Sequence, residues 1–368
     1  MRANMDTKII TNPSEQDIDT LARALRNGEL VSIPTETVYG LGANGLDPEA
    51  MDKIYAAKGR PSDNPLILHV PNSESIKSLV TEISATAQAL MDTFWPGPLT
   101  ITLPKSDLVP DRATGGLSRV ALRCPDHEAC RVLLERAGIP IAAPSANISG
   151  RPSPTTAEDV YNDMNGRISY ILDAGPCTIG VESTVVEVHD DKVIILRPGG
   201  ITKAQLENVV ATVEYDTALV NAATKPKAPG MKYTHYAPDA PMTVVVGSPE
   251  AIACTFKELS EGIEGPIGCL VSRETYDLIK GNTDFMCHCF GHNGDALALG
   301  HDFYKSLLHF NENHVTLILA EGVDDDGFGV AIMNRMEKAS SHHIIYCKYT
   351  INFFMRLQKN SYLIFRIY

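Results

Sequence analysis

The sequence lacks any apolar run of transmembrane length, and residues 1–17 carry no apolar leader, so a cytoplasmic protein is expected. It is also short of positive charge. Its 32 Lys and Arg face 45 Asp and Glu, and a net −13 argues against a whole-surface nucleic-acid binder, leaving room only for a local basic cleft. The 8 cysteines include no C-x-x-C pair and no paired zinc spacing. Cys287-His288-Cys289 is too compact to close a tetrahedral site and falls in an apolar strand-like run, so it reads as buried thiols. No Walker A sequence occurs, which excludes a P-loop. Ser145 is not in a G-x-S-x-G elbow, which argues against a hydrolase nucleophile.

What remains is a globular composition, 44% apolar and 21% charged over 368 residues, enough for two cores. Strand and helix patterns alternate almost throughout, so the fold class is α/β. Strands are legible at Leu30–Ile33, Leu66–Val70, Leu99–Leu103, Val120–Leu122, Ile139–Ala142 and Tyr170–Leu172. Asp47-Pro48 opens a helix through Lys58, Thr156 caps another to about Asp163, and further helices fall near 126–136 and 203–210. Ser183–Val188 and Val193–Leu196 flank Asp190-Asp191 as a hairpin, which predicts a mixed sheet in domain 1–212. Residues 213–241 are proline-punctuated without apolar period and read as a linker. Strands at Met242–Val246, Ile267–Val271, Phe285–Cys289 and Val315–Leu319, with helices between, predict a smaller Rossmann-like three-layer domain over 242–345. The tail 346–368 holds Lys348, Arg356, Lys359 and Arg366 and no acid; lacking a helical stripe, it reads as an appended segment rather than a membrane-surface helix.

Two neighbouring segments carry the chemistry. Ile33 to Gly42 runs from a short strand into a loop of hydroxyls and glycines, and Lys58-Gly59-Arg60-Pro61 places two cations in a loop ahead of the next strand. Hydroxyls, bare backbone and fixed cations suit a polyanion such as a nucleoside triphosphate. Gly40-Leu41-Gly42-Ala43-Asn44-Gly45 matches G-x-G-x-x-G, yet residues 34–39 separate it from the strand and no acid closes the next one, so the match is incidental. Taken with Pro144-Ser145-Ala146-Asn147 and Pro229-Gly230-Met231-Lys232-Tyr233, these segments resemble the threonylcarbamoyl-AMP synthases of the YrdC/YciO group in their two-domain form.

The resemblance implies a YrdC-like twisted mixed sheet and a reaction of L-threonine, bicarbonate or CO2, and ATP. It places Lys58, Arg60, Asn64, Arg119, Ser145, Asn147, Ser153, Arg197 and Tyr236 at ATP, with Arg119 departing from the threonine common at that position. Thr37, His69, Arg123, Ala143 and Ser183 are placed at threonine. Lys58, Arg60 and Arg197 would neutralise the departing phosphates, and Mg²⁺ would enter on ATP oxygens with no protein metal site. The linker, with Lys232, Tyr233, His235 and Tyr236, would close over the nucleotide. The product would feed threonylcarbamoylation of adenosine 37 in tRNAs reading ANN codons, through a separate transferase complex. Two rivals stand beside this reading: a double-stranded RNA binder with weak affinity, and a carbamoyl-adenylate enzyme of the hydrogenase-maturation type, whose cysteine-rich modules this chain does not carry.

Overall fold

The computed structural model describes residues 6–61, 64–219 and 236–347. The lid segment with Lys232, Tyr233 and His235, and the basic tail beyond 347, lie outside the described residues.

One mixed sheet of 11 strands organises the first domain, in the order β1-β8-β2-β3-β7-β4-β6-β5-β9-β10-β11. The strands are β1 (Lys8–Thr11), β2 (Val31–Ile33), β3 (Gly40–Asn44), β4 (Ile67–His69), β5 (Leu99–Pro104), β6 (Arg119–Arg123), β7 (Ile141–Ala142), β8 (Tyr170–Asp173), β9 (Thr184–Val188), β10 (Val193–Arg197) and β11 (Val213–Tyr215). The expected hairpin is present as the antiparallel pair β9–β10. β11 falls inside the segment read as linker and pairs parallel with β10, so this sheet reaches Tyr215.

The glycine-rich segment read as a loop is largely strand β3, antiparallel to β2. Its glycines permit close packing rather than a turn. A Cβ on Gly42 would lie 2.9 Å from the Val31 carbonyl oxygen, and one on Gly45 would lie 2.7 Å from Leu68 Cδ2 and 2.8 Å from the Pro140 carbonyl oxygen.

Strand alternation divides the side chains between two faces. Leu41, Ala43, Leu68, Leu122 and Ala142 enter a core covered by the helices Pro48–Lys58 and Ala85–Phe94. Val31, Ile33, Ile141 and Ala143 pack on the opposite face under Glu15–Arg26 and Glu128–Ala137. The same alternation brings Ile67, His69, Ala121 and Arg123 to this second face, because Ile67 pairs with Ala121, His69 with Arg123, and His69 also with Ile141. Ile67 and Ala121 join no apolar cluster, although both are buried. This strip, which the helix pair leaves uncovered, is the floor of the site.

The second domain is a parallel sheet in the order β14-β13-β15-β12-β16. Its strands are β12 (Met242–Val246), β13 (Ile267–Val271), β14 (Phe285–Cys289), β15 (Leu317–Glu321) and β16 (Ile344–Tyr346). Val245, Cys269, Val271 and Leu319 face Ile252 and Phe256 of the helix Pro249–Ser260. Val244, Leu270, Ile318 and Ala320 face Phe303, Leu307, Phe310, Ile332 and Met336 of the helices Ala296–Glu312 and Gly329–Ala339. That gives the expected three layers. β16 draws Tyr346 into the sheet rather than leaving it in a tail. The buried-thiol reading of Cys287 and Cys289 is corrected: β14 is an edge strand, which leaves Cys287 half-buried and Cys289 exposed.

Candidate active site

The helix Pro48–Lys58 shows how local sequence sets the site. Asp47 caps it by accepting from the Glu49 N–H, and Pro48 starts it with its φ already set. Gly59 ends it in the left-handed region at φ 63°, and the Arg60 N–H closes back on the Tyr55 carbonyl at 3.0 Å. The turn delivers Lys58 and Arg60 to the lining of a cleft.

Most of the residues assigned from sequence meet in that cleft. Of those assigned to ATP, Lys58, Arg60, Ser145, Asn147, Ser153, Arg197 and Tyr236 line it. All five assigned to threonine line it as well: Thr37, His69, Arg123, Ala143 and Ser183. Two stand apart. Asn64 is fully buried and outside the lining, with neither side-chain atom hydrogen-bonded. Arg119 is at the far end of β6 from Arg123, where its Nη2 donates to the Thr102 and Val188 carbonyls at 2.8 and 2.6 Å. That guanidinium ties β6 to β5 and β9 rather than lining the cleft.

Lys58 is not a loose surface cation. Its buried ammonium donates to the carbonyls of Ser145 and Asn147 and, at 3.2 Å, to Asn147 Oδ1. Burial, then the charge of Arg60, lowers its pKa well below the ordinary lysine value. Three acceptors take three N–H groups, which the ammonium has and a neutral amine lacks, so the ammonium is the form that makes all three bonds. Ser145 Oγ donates to Asn147 Oδ1 at 2.6 Å, and Asn147 Nδ2 donates to the Ile148 and Arg151 carbonyls.

The threonine-assigned end is held by Arg123, which is buried on β6. Its Nη1 donates to Thr37 Oγ1 at 2.9 Å, and its Nη2 lies 2.6 Å from Glu36 Oε2. The ion pair is close but poorly aligned, so both Glu36 carboxylate oxygens lack a hydrogen bond. Beside it, burial and then the Arg123 charge push the His69 pKa down to about 3. The imidazole is therefore a neutral partner, with Nδ1 3.2 Å from the Ile67 carbonyl.

At the nucleotide-assigned end, Arg197 Nε and Nη2 donate to the Ser183 carbonyl at 3.1 and 3.0 Å, and Ser183 Oγ lies 2.8 Å from Thr100 Oγ1. Glu182, which the sequence reading passed over, accepts from Ser153 Oγ at 2.7 Å, from the Tyr304 hydroxyl at 3.0 Å and from Arg335 Nε at 3.1 Å. Burial alone would raise its pKa; Arg335 and Arg197 outweigh burial and hold it at about 2. Glu36 lay in a quoted motif, but Tyr304 and Arg335 belong to another domain, and no local signal in the sequence pairs them with Glu182.

Comparison with known proteins covers both domains. A family model described as "Telomere recombination" matches residues 23–199, and one described as "Threonylcarbamoyl-AMP synthase, C-terminal domain" matches residues 201–341. The threonylcarbamoyl-AMP synthase of Bacillus subtilis is 46% identical over 333 residues, covering 90% of this chain and 95% of the relative. That of Pyrococcus abyssi is 44% identical over 335 residues, covering 90% and 96%. A crystal structure of P. abyssi Sua5 complexed with L-threonine matches with a TM-score of 0.84 at 41% identity, over 93% of this chain and 99% of that one.

Proposed function

Because the chain belongs to the threonylcarbamoyl-AMP synthase family, with both of its domains present, we propose that the cleft joins L-threonine, bicarbonate or CO2, and ATP into threonylcarbamoyl-AMP and pyrophosphate. The observation that supports it is the meeting of Arg60, Arg197 and the Ser145–Asn147 loop with Thr37, His69 and Arg123 in one cleft. The chain is thus an enzyme, and by reaction type a nucleotidyltransferase.

The substrate amine adds to CO2, forming the carbamate C–N bond and releasing a proton. A carbamate oxygen then attacks the α-phosphorus, and the bond to the β-phosphate bridging oxygen breaks to release pyrophosphate. No protein nucleophile takes part. Arg123, oriented by Thr37, Glu36 and the Gly97 carbonyl, pairs with the substrate carboxylate through its remaining N–H groups, and neutral His69 hydrogen-bonds the amino acid without adding charge. Arg60 and Arg197 offset charge on the leaving phosphates. Lys58 serves by holding the Ser145–Asn147 loop against the nucleotide.

The two carboxylates nearest these groups are committed, Glu36 to Arg123 and Glu182 to Arg335, and among the described residues no cluster of His, Cys, Asp or Glu could hold a metal ion. Mg²⁺ would enter as a companion of ATP and neutralise phosphate oxygens, as the resemblance implies. No described helix is long and apolar enough to cross a membrane. The product would pass to a tRNA threonylcarbamoyltransferase complex for adenosine 37.

The test is pyrophosphate release. It should require both threonine and bicarbonate; release independent of either, or salt-sensitive RNA affinity with no release, would sink the assignment.

A further inference from the structure

We propose that Arg335, on the second domain, is a positioning residue for the nucleotide end of the cleft and acts through Glu182. The inference rests on the functional reading above and gives the second domain a part in the reaction.

The loop Gly180–Ser183 belongs to the first domain, yet the second domain grips it along its length. A Cβ on Gly180 would lie 2.5 Å from the Gly300 carbonyl oxygen, so only glycine lets the helix Ala296–Glu312 approach this closely. Gly180 also sits at φ 83°, where a side chain would be strained in any case. Val181 is fully buried in the second domain's apolar cluster. Glu182 receives the Tyr304 hydroxyl and Arg335 Nε.

Arg335 is itself fully buried and holds a second point of the first domain. Its Nη1 donates to the Pro198 carbonyl at 2.6 Å, one residue beyond Arg197. One guanidinium thus fixes the end of β10, which carries Arg197, and the carboxylate that accepts from Ser153. Burying that charge is tolerable because Glu182 answers it, and the fork geometry of arginine meets both acceptors at once. Tyr236 joins the cluster through its ring, 5.3 Å from that of Tyr304.

The contacts are lopsided across the cleft. Ser153, Arg197 and Tyr236, all assigned to the nucleotide, border the Glu182–Arg335 pair. Of the threonine-assigned residues, Ser183 is joined to it as the chain neighbour of Glu182 and the acceptor of Arg197, whereas Thr37, His69 and Arg123 make no contact with it among the described hydrogen bonds. Loss of the pair should therefore fall mainly on ATP. A merely structural role would weaken both together.

The experiment compares the full-length chain with Arg335→Met, Arg335→Lys and Glu182→Gln. Binding of α,β-methylene ATP and of L-threonine is measured separately by calorimetry, alongside the KM of each substrate. Arg335→Met and Glu182→Gln should weaken the nucleotide about tenfold or more, a typical coupling between sites, and change threonine by less than about twofold. Arg335→Lys, which keeps charge and loses the fork, should fall between. Equal weakening of both ligands, or none, overturns the inference. If Arg335→Met does not fold, the near-isosteric Glu182→Gln decides by the same criterion. A wild-type chain that binds no nucleotide overturns the functional reading and this inference together; wild-type binding with unaltered variants overturns the inference alone.

Discussion

Replacing Lys58 with methionine tests whether this residue acts through the loop that it holds. Methionine keeps most of the apolar stem, so the packing of the helix Pro48–Lys58 survives, but the carbonyls of Ser145 and Asn147 lose their buried donor. An unsatisfied buried acceptor costs about 1–3 kcal/mol. Asn147 Oδ1 keeps its bond from Ser145 Oγ and contributes little. The loop borders the cleft, where water can reach part of it, so the lower half of the range applies to each carbonyl, about 2–4 kcal/mol in total. For a domain of this size that corresponds to a fall in Tm of roughly 4–16 °C. The assay is thermal unfolding with and without α,β-methylene ATP. The variant should melt lower and lose most of the nucleotide-induced rise in Tm, because the Ser145–Asn147 loop is no longer fixed. A variant with wild-type Tm and a full nucleotide response would refute the reasoning.

Three further outcomes follow from the geometry. His69 has a folded pKa of about 3 against an ordinary value of 6.5, so the unfolded chain takes up the extra proton between these values. Its contribution is complete above pH 6.5 and lost as pH falls towards 3, so urea melts of His69→Gln should show a flatter decline from neutral to mildly acidic pH than wild type; parallel curves would contradict this. Arg123→Lys keeps the charge opposite Glu36 but loses the planar fork that meets Glu36, Thr37 and a carboxylate together, so the KM for threonine should rise by about 10–100-fold while nucleotide binding holds; unchanged threonine kinetics would remove Arg123 from the site. Gly199→Ala would put a Cβ 2.3 Å from the Thr184 N–H nitrogen and 2.4 Å from the Glu182 carbonyl, so it should lower both Tm and turnover by displacing Arg197; a neutral variant in both assays would contradict that packing.

Much of the site was legible because its residues sit in short, dense segments. Lys58 and Arg60 flank a helix stop that the Asp47-Pro48 start and Gly59 already announce. The strands carrying His69 and Arg123 were legible from their apolar neighbours, whose alternation sends Leu68 and Leu122 to the core and these two to the cleft. β3 was hidden because glycine disfavours strands in isolation; only the crowding of Gly42 by Val31 and Ile141 makes it the residue that fits. Arg119 was placed at ATP by resemblance alone, and sequence does not show that its guanidinium turns to the Thr102 and Val188 carbonyls. Four residues along β6 separate it from Arg123, roughly 13 Å in an extended chain. The Glu182–Arg335 pair was invisible for another reason: its members are 153 residues apart and meet only when the two domains pack.

The claim on which the account turns is that a single cavity brings the amino acid and the α-phosphorus together. A crystal structure of the full-length chain soaked with L-threonine and α,β-methylene ATP tests it most directly. The account predicts the threonine carboxylate on Arg123 and the triphosphate between Arg60 and Arg197, with the amine facing the α-phosphate. Ligands bound on separate surfaces, or a triphosphate remote from both arginines, would contradict it.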